Sequence, residues 1–198
     1  MQKLSQELLD CQSLLQYLKH YLYIRYLYKK FEFSRIKAME EKYNVVATGG
    51  TFDEIHVGHL ALLSKAFEIG KKVIIGVTSD AFASSTKGNN TLHHNYEERI
   101  SNLKEKIKEK FGNVSYEISK LDDVYGPTVI YGDVEAIVSS TETAIKGDLI
   151  NDIRSRNGLK PLNIISVNMI RAEDGYHISS TRIRNGEIDC FGKLLKKN

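Results

Sequence analysis

Two imidazoles three residues apart follow a pair of glycines in the stretch Gly49-Gly50-Thr51-Phe52-Asp53-Glu54-Ile55-His56-Val57-Gly58-His59. Upstream, Tyr43-Asn44-Val45-Val46-Ala47 is a short apolar run that reads as a buried strand. Downstream, Leu60, Leu62, Leu63, Ala66, Phe67 and Ile69 recur at helical spacing. The stretch is therefore a strand-to-helix turn. Its glycines clear the backbone for a ligand, and the helix turns free N–H groups and its positive dipole end toward that gap. Such a geometry suits phosphate. With His56 and His59 on one helical face and Gly58 leaving room between them, both rings can donate hydrogen bonds to phosphoryl oxygens as charge builds there. Plainer readings stand beside this one. Gly-Gly also serves simple backbone corners, and His-x-x-His also ligates metals or packs as a satisfied pair. His93-His94 would be the nearest further ligands, but adjacent residues on an extended chain point to opposite sides.

A second stretch carries complementary groups: His177-Ile178-Ser179-Ser180-Thr181-Arg182-Ile183-Arg184-Asn185-Gly186. Ser179 suits the cap of a short helix whose first N–H groups are free, and Arg182 and Arg184 add positive charge beside them. Donors of that kind fit a polyphosphate, although a capped surface helix with solvated arginines needs the same residues. Three further positions fall at strand ends. Lys87 lies in a polar loop after the second strand, Asp122-Asp123 sits in a turn able either to hold magnesium or to cap a helix, and Ser140 to Thr143 can meet a base or ribose.

The elements that would position these groups alternate strand and helix from Asn44 onward, the pattern of a parallel sheet with covering helices. Strands are predicted over 43–47, 73–77, 114–118, 136–139 and 162–167. The first helix is expected to stop at Gly70. Asn95 and Glu98 have capping-box spacing for a helix to about Lys110, and another helix is expected after Thr143, running to about Asn157 and stopped by Gly158. The expected fold class is α/β, a Rossmann-like five-stranded parallel sheet with helices on both faces.

Residues 1–40 form a separate N-terminal helical extension ahead of a domain over 41–198. Leu4, Leu8, Cys11, Leu15, Leu18 and Leu22 follow at steps of four and three, the seam of a short coiled coil or of a helix docked in a groove. Self-association through this helix is one reading. Tyr17, Tyr21, Tyr23, Tyr26 and Tyr28, mixed with Arg25, Lys29 and Lys30, suit a membrane surface, stacking on nucleic acid, or an ordinary packed helix.

The chain of 198 residues has a formal net charge of +3, from 28 basic and 25 acidic side chains. The first 43 residues hold eight of the basic and five of the acidic ones, so the rest is neutral overall and gives no electrostatic reason to expect a nucleic-acid partner. Two cysteines far apart, Cys11 and Cys190, point to a reducing compartment. No run of about 18 apolar residues would span a membrane, and no secretory signal is legible. A cytoplasmic protein is expected.

Gly50-Thr51-Phe52-Asp53 with His56-Val57-Gly58-His59 resembles the first signature of the nucleotidyltransferases that share the HIGH-type motif with class I aminoacyl-tRNA synthetases. Ile178 to Arg184 resembles their late signature. Between them, Gly76-Val77-Thr78-Ser79-Asp80, Tyr125-Gly126-Pro127, Ala136-Ile137-Val138-Ser139, Glu142-Thr143 and Ala172-Glu173-Asp174-Gly175 are similar to the archaeal and eukaryotic type of phosphopantetheine adenylyltransferase, over Asn44 to about Asp189. Glu54 stands where proline is common. The resemblance implies transfer of the adenylyl group of ATP to 4′-phosphopantetheine, with magnesium accompanying ATP and no metal site of the protein's own. It implies His59, His56 and Thr51 as catalytic residues. Gly49, Gly50, Thr51, Phe52, His56, His59, Ser179, Ser180, Thr181, Arg182 and Arg184 would hold ATP, with Arg182 or Arg184 on the leaving pyrophosphate. Thr51, Lys87 and Arg99 would meet the acceptor. The rival expectations are a sister enzyme acting on FMN, nicotinamide mononucleotide or glycerol 3-phosphate, and a non-catalytic nucleotide-binding assembly module.

Overall fold

The computed structural model describes residues 43–87, 92–129, 131–144 and 147–196, all within the compact unit Lys42–Asn198. The predicted N-terminal extension, its leucine seam and any self-association through it lie outside the described residues. Five parallel strands, β1 (Tyr43–Gly50), β2 (Gly70–Thr78), β3 (Tyr116–Leu121), β4 (Ala136–Ser140) and β5 (Asn163–Val167), form one sheet in the order β3-β2-β1-β4-β5. The helices are α1 (Val57–Ile69), α2 (Asp80–Lys87), α3 (Tyr96–Phe111), α4 (Thr141–Ala144), α5 (Gly147–Arg156) and α6 (Ser180–Arg184).

The apolar strands are buried because both sheet faces are covered, which is why β1 and β2 read as unbroken hydrophobic runs. Val46, Val73, Ile75 and Val77 pack with Leu62, Leu63 and Ala66 of α1 and Leu103 and Ile107 of α3. Their neighbours in sequence, Val45, Ala47 and Ile74, point the other way and pack with Ile150 of α5 and Leu162. From β1 the chain builds outward through β2 to β3, then returns to lay β4 on the other side of β1. That reversal is the topological switch point, so the crevice for a ligand opens beyond the carboxyl ends of β1 and β4, at Gly49-Gly50 and Ser139-Ser140. Among the described residues no helix is long and apolar enough to cross a membrane.

Three boundaries differ from the sequence reading, each for a local reason. Gly70 ends α1 as expected, but in extended backbone (φ −104°), so β2 begins there and not at Val73, and that residue is glycine because a Cβ would meet Val46 at 2.9 Å and the Ala66 carbonyl at 3.0 Å. The third strand starts at Tyr116 instead of Val114. Gly112 (φ +67°) turns the chain, the Val114 N–H closes that turn on the Gly112 carbonyl, and the β2 ladder then carries pairing out to Thr78 with Leu121. The helix expected after Thr143 runs as α5 to Arg156, with Gly158 at φ +72° just past it, and Thr141–Ala144, read as following the carboxyl end of the fourth strand, forms a helical turn of its own, α4. The capping box on α3 is as expected: the Asn95 side chain accepts the Glu98 N–H, and the Glu98 carboxylate accepts the Asn95 N–H.

Candidate active site

The turn after β1 is built around an unusual residue. Phe52 adopts φ +53°, a left-handed conformation that costs a bulky residue on the order of 1 kcal/mol or more, and its ring is fully buried in the core. Burying that ring offsets the strain and anchors the loop. Phe52 is therefore a core residue beneath the site. Its ring supports the His59 ring at a centroid distance of 4.9 Å, and His59 in turn stacks on His56 at 3.9 Å.

His56 is the cap of α1, not a member of its first turn. Its Nδ1 accepts the Gly58 N–H at 3.1 Å. Burial disfavours the charged ring and pushes its pKa down to about 4, so at neutral pH the ring is uncharged and its proton sits on Nε2 as a hydrogen-bond donor. Gly58 thus serves differently from the sequence reading. The space above it is filled by the His56 ring, which a Cβ would meet at 2.9 Å, and not left open for a nucleotide. The first N–H groups of α1 are also not on offer, since Val57 donates to the Cys190 carbonyl and Gly58 to His56.

The late signature lies against the first. Ser179 caps α6 by accepting the Arg182 N–H, as its type suggests. The Ser180 hydroxyl donates to the Glu54 carbonyl at 3.1 Å, and Arg184 donates to Asp53 at 2.7 Å. A cavity of about 270 Å³ separates the two walls, with Gly49, Gly50, His56 and His59 on one side and Ser179, Ser180 and Thr181 on the other. Ser140, Thr143 and Asn168 complete its polar lining. Gly50 and Ser180, 130 positions apart in sequence, face one space.

Neither Arg182 nor Arg184 lines this cavity. The Arg182 guanidinium lies on Asp174 and Glu187. The Arg184 guanidinium is buried against the carboxylate of Asp53 and also donates to the Thr181 hydroxyl at 3.0 Å. Burial alone would raise the Asp53 carboxyl. The His93 and His94 N–H groups, the His94 ring and Arg184 outweigh burial and hold its pKa below the ordinary aspartate value.

A second cavity of about 370 Å³ shares Gly49, Gly50 and Thr143 with the first and extends across the sheet face between Ile74, Phe82, Leu121, Tyr125 and Ile164. Thr51 lines it. Two hydroxyl oxygens in its lining, those of Thr78 and Ser139, are buried without a hydrogen-bond partner among the described residues. Gly76 is glycine because a Cβ would meet the Leu121 side chain at 2.8 Å. Arg99, which the resemblance implies as an acceptor contact, has no exposed surface and lines neither cavity. Its guanidinium donates to the carbonyls of Thr51 and Thr78 and to Asp80, each at 2.7 Å, fixing the ends of β1 and β2. Asp123 caps the turn Gly126–Val129 by accepting the Tyr125 and Gly126 N–H groups. Lys87 is the last residue of α2, and its side chain falls outside the described part of the structure.

Two residues that shape the site were not singled out from sequence. Asp53 stood inside the first signature without an assigned task. Arg154, fully buried, donates to the carbonyls of Lys160, Thr128, Tyr131 and Val134 and so holds the loop behind the second cavity. Its one sequence signal is position: it lies four residues after Ile150, on the buried face of α5.

The model of the cytidylyltransferase-like family matches residues 47–186. The phosphopantetheine adenylyltransferase of Methanothermobacter thermautotrophicus is 46% identical over 159 residues, covering 80% of this chain and 94% of that protein. That of Pyrococcus furiosus is 41% identical over 160 residues, covering 80% and 98%. Among solved structures, a protein of unknown function from Archaeoglobus fulgidus superposes with a TM-score of 0.55 at 35% identity, covering 62% of this chain and 87% of that one. The tyrosyl-tRNA synthetase of the same organism superposes at 0.52 with 14% identity, over 74% and 61%, a likeness of fold alone. With both signatures on one cavity and relatives of this identity along nearly their whole length, the chain belongs to the cytidylyltransferase-like family and, within it, to the archaeal type of phosphopantetheine adenylyltransferase.

Proposed function

We propose that the chain joins the AMP moiety of ATP to 4′-phosphopantetheine, giving dephospho-coenzyme A and pyrophosphate, with the nucleotide in the first cavity and the acceptor in the second. The observation that carries this arrangement is that the two cavities meet at Gly49-Gly50, beside His56 and His59. An acceptor phosphate and an α-phosphate approaching from opposite sides would come together over that pair. The second cavity supports a pantetheine arm on chemical grounds. It is mostly apolar, yet it borders the hydroxyls of Thr78 and Ser139, unpartnered among the described residues, which suit the amide groups of such a chain.

The chemistry needs no covalent nucleophile. An oxygen of the acceptor phosphate bonds to the α-phosphorus as the bond to the bridging α,β-oxygen breaks, and pyrophosphate leaves with that electron pair. Negative charge grows on oxygens around phosphorus, so the protein's task is alignment and donation of hydrogen bonds. His59 donates to the α-phosphate, the Nε2 proton of His56 assists along the triphosphate, and Thr51 directs the attacking phosphate. Ser179, Ser180 and Thr181 hold the nucleotide from the facing wall. The donor set of this wall and the imidazoles suits phosphate rather than a cation, so magnesium enters as the counter-ion of ATP and neutralises phosphate charge. A cytoplasmic setting is supported by the two widely spaced cysteines.

The test is pyrophosphate release from ATP with 4′-phosphopantetheine, run beside FMN and nicotinamide mononucleotide, and with CTP and glycerol 3-phosphate. Turnover with 4′-phosphopantetheine alone is expected. Turnover only with another acceptor, or ATP binding without release from any, overturns the assignment.

A further inference from the structure

The pairing of Arg184 with Asp53 joins the two signatures across 131 positions of sequence, and both side chains are almost wholly buried, 5% and 0% exposed. The contact is central to the nucleotide cavity without lining it. Asp53 follows Phe52 in the turn that carries Gly50 and His56, and its remaining lone pairs take the His93 and His94 N–H groups and the His94 ring. On the other side, Arg184 donates its second Nη to Thr181, which does line the cavity. Among the described residues, the Ser180 hydroxyl on the Glu54 carbonyl also ties the two walls together. A chain of contacts therefore runs from the glycine turn through Asp53 and Arg184 to Thr181, outside the space a nucleotide would occupy.

From this we infer that Asp53 and Arg184 are positioning residues for ATP: their buried ion pair sets the gap between the imidazole wall and the serine-threonine wall, and Arg184 acts through that gap and not by touching phosphate. The inference rests on the nucleotide occupying the first cavity. It separates from a direct phosphate contact by three consequences. Removing either partner must weaken ATP binding, because the gap fails whichever end is cut. Removing both must cost little more than removing one. AMP must lose as much as ATP, because the walls hold the nucleotide regardless of phosphate count.

The experiment measures ATP and AMP dissociation constants by calorimetry for wild type, Asp53→Asn, Arg184→Met, Arg184→Lys and the Asp53→Asn/Arg184→Met pair, below the unfolding temperature of each, together with steady-state kinetics. Each single variant is expected to bind ATP and AMP about tenfold more weakly, with the pair within threefold of the weaker single. Arg184→Lys, which keeps a cation for Asp53, is expected within threefold of wild type. The KM for the acceptor should stay unchanged, since neither residue borders the second cavity. Asp53→Asn binding ATP as wild type does, while Arg184→Met loses ATP affinity and keeps AMP affinity, would overturn the inference and make Arg184 a phosphate ligand. A stability loss with unchanged nucleotide affinity would overturn it too. Failure of the wild-type chain to bind ATP at all would instead bring down the nucleotide reading on which it stands.

Discussion

Replacing Gly58 by alanine should cost activity without costing stability. A Cβ at this position would lie 2.9 Å from His56 Cε1 and 3.0 Å from its Nδ1. Carbon atoms in ordinary contact sit about 3.5–4.0 Å apart, so the imidazole must retreat by roughly 0.6–1 Å. That movement breaks the Nδ1 hydrogen bond from the Gly58 N–H, worth about 0.5–1.5 kcal/mol, and disturbs the stack on His59. Alanine returns up to about 1 kcal/mol through its better helix propensity, so the two stability effects nearly cancel. The thermal midpoint should stay within a few degrees of wild type. Activity has no such compensation. A donor misplaced by about 1 Å is enough for a loss on the order of 10²-fold, and kcat for pyrophosphate release should fall on that scale. The same change in a His56→Ala background should cost less than about threefold more, because the ring it displaces is already gone. Wild-type turnover by Gly58→Ala would refute the claim that Gly58 is glycine for the sake of His56.

Three other outcomes follow from the same geometry. His59→Ala should lower kcat by roughly 10²- to 10³-fold, the scale for one preorganised donor, while differential scanning calorimetry shows a folded protein. Arg99→Met strips the donor from the Thr51 and Thr78 carbonyls and from Asp80, which is half exposed and so partly rescued by water. Urea unfolding should show a loss of about 3 kcal/mol, the lower end for breaking a buried pair, and the acceptor KM should rise because Thr51 and Thr78 line its cavity. Stability should also depend on pH through His56. Its folded pKa of about 4 lies below the unfolded 6.5, so the unfolded chain takes up the proton first, and stability is complete above pH 6.5 and lost as pH falls toward 4. The loss is on the order of 3 kcal/mol. Asp53, held below its ordinary value, adds to the decline at the acid end. Urea midpoints measured from pH 4 to 8 check this, and His56→Gln should flatten the profile in the window between 4 and 6.5.

What the sequence made legible was whatever depends on periodicity and local capping, and what it hid was how polar side chains are paired over long distances. The β-branched runs and the α3 capping box follow from neighbours within four residues, and they stand where expected. Ser179 was readable as a cap for the same reason. Arg99, Arg154, Arg182 and Arg184 were not readable in the same way, because an arginine looks identical whether it will meet a ligand, a carboxylate or a set of carbonyls. Four buried or half-buried guanidiniums are taken up by the protein itself: Arg154 by loop carbonyls, Arg99 by strand carbonyls and Asp80, Arg182 and Arg184 by carboxylates. Gly58 shows the converse: a glycine in a signature reads as space for a ligand, and the space belongs to the His56 side chain. Both cases have one physical root. A buried charge must be paired, and a void must be filled, before either is available to a substrate. The groups left facing the first cavity, the imidazoles and the Ser179 to Thr181 wall, are those whose folding needs are met from behind, by Phe52, by the Gly58 N–H and by the Asp53 to Arg184 pair.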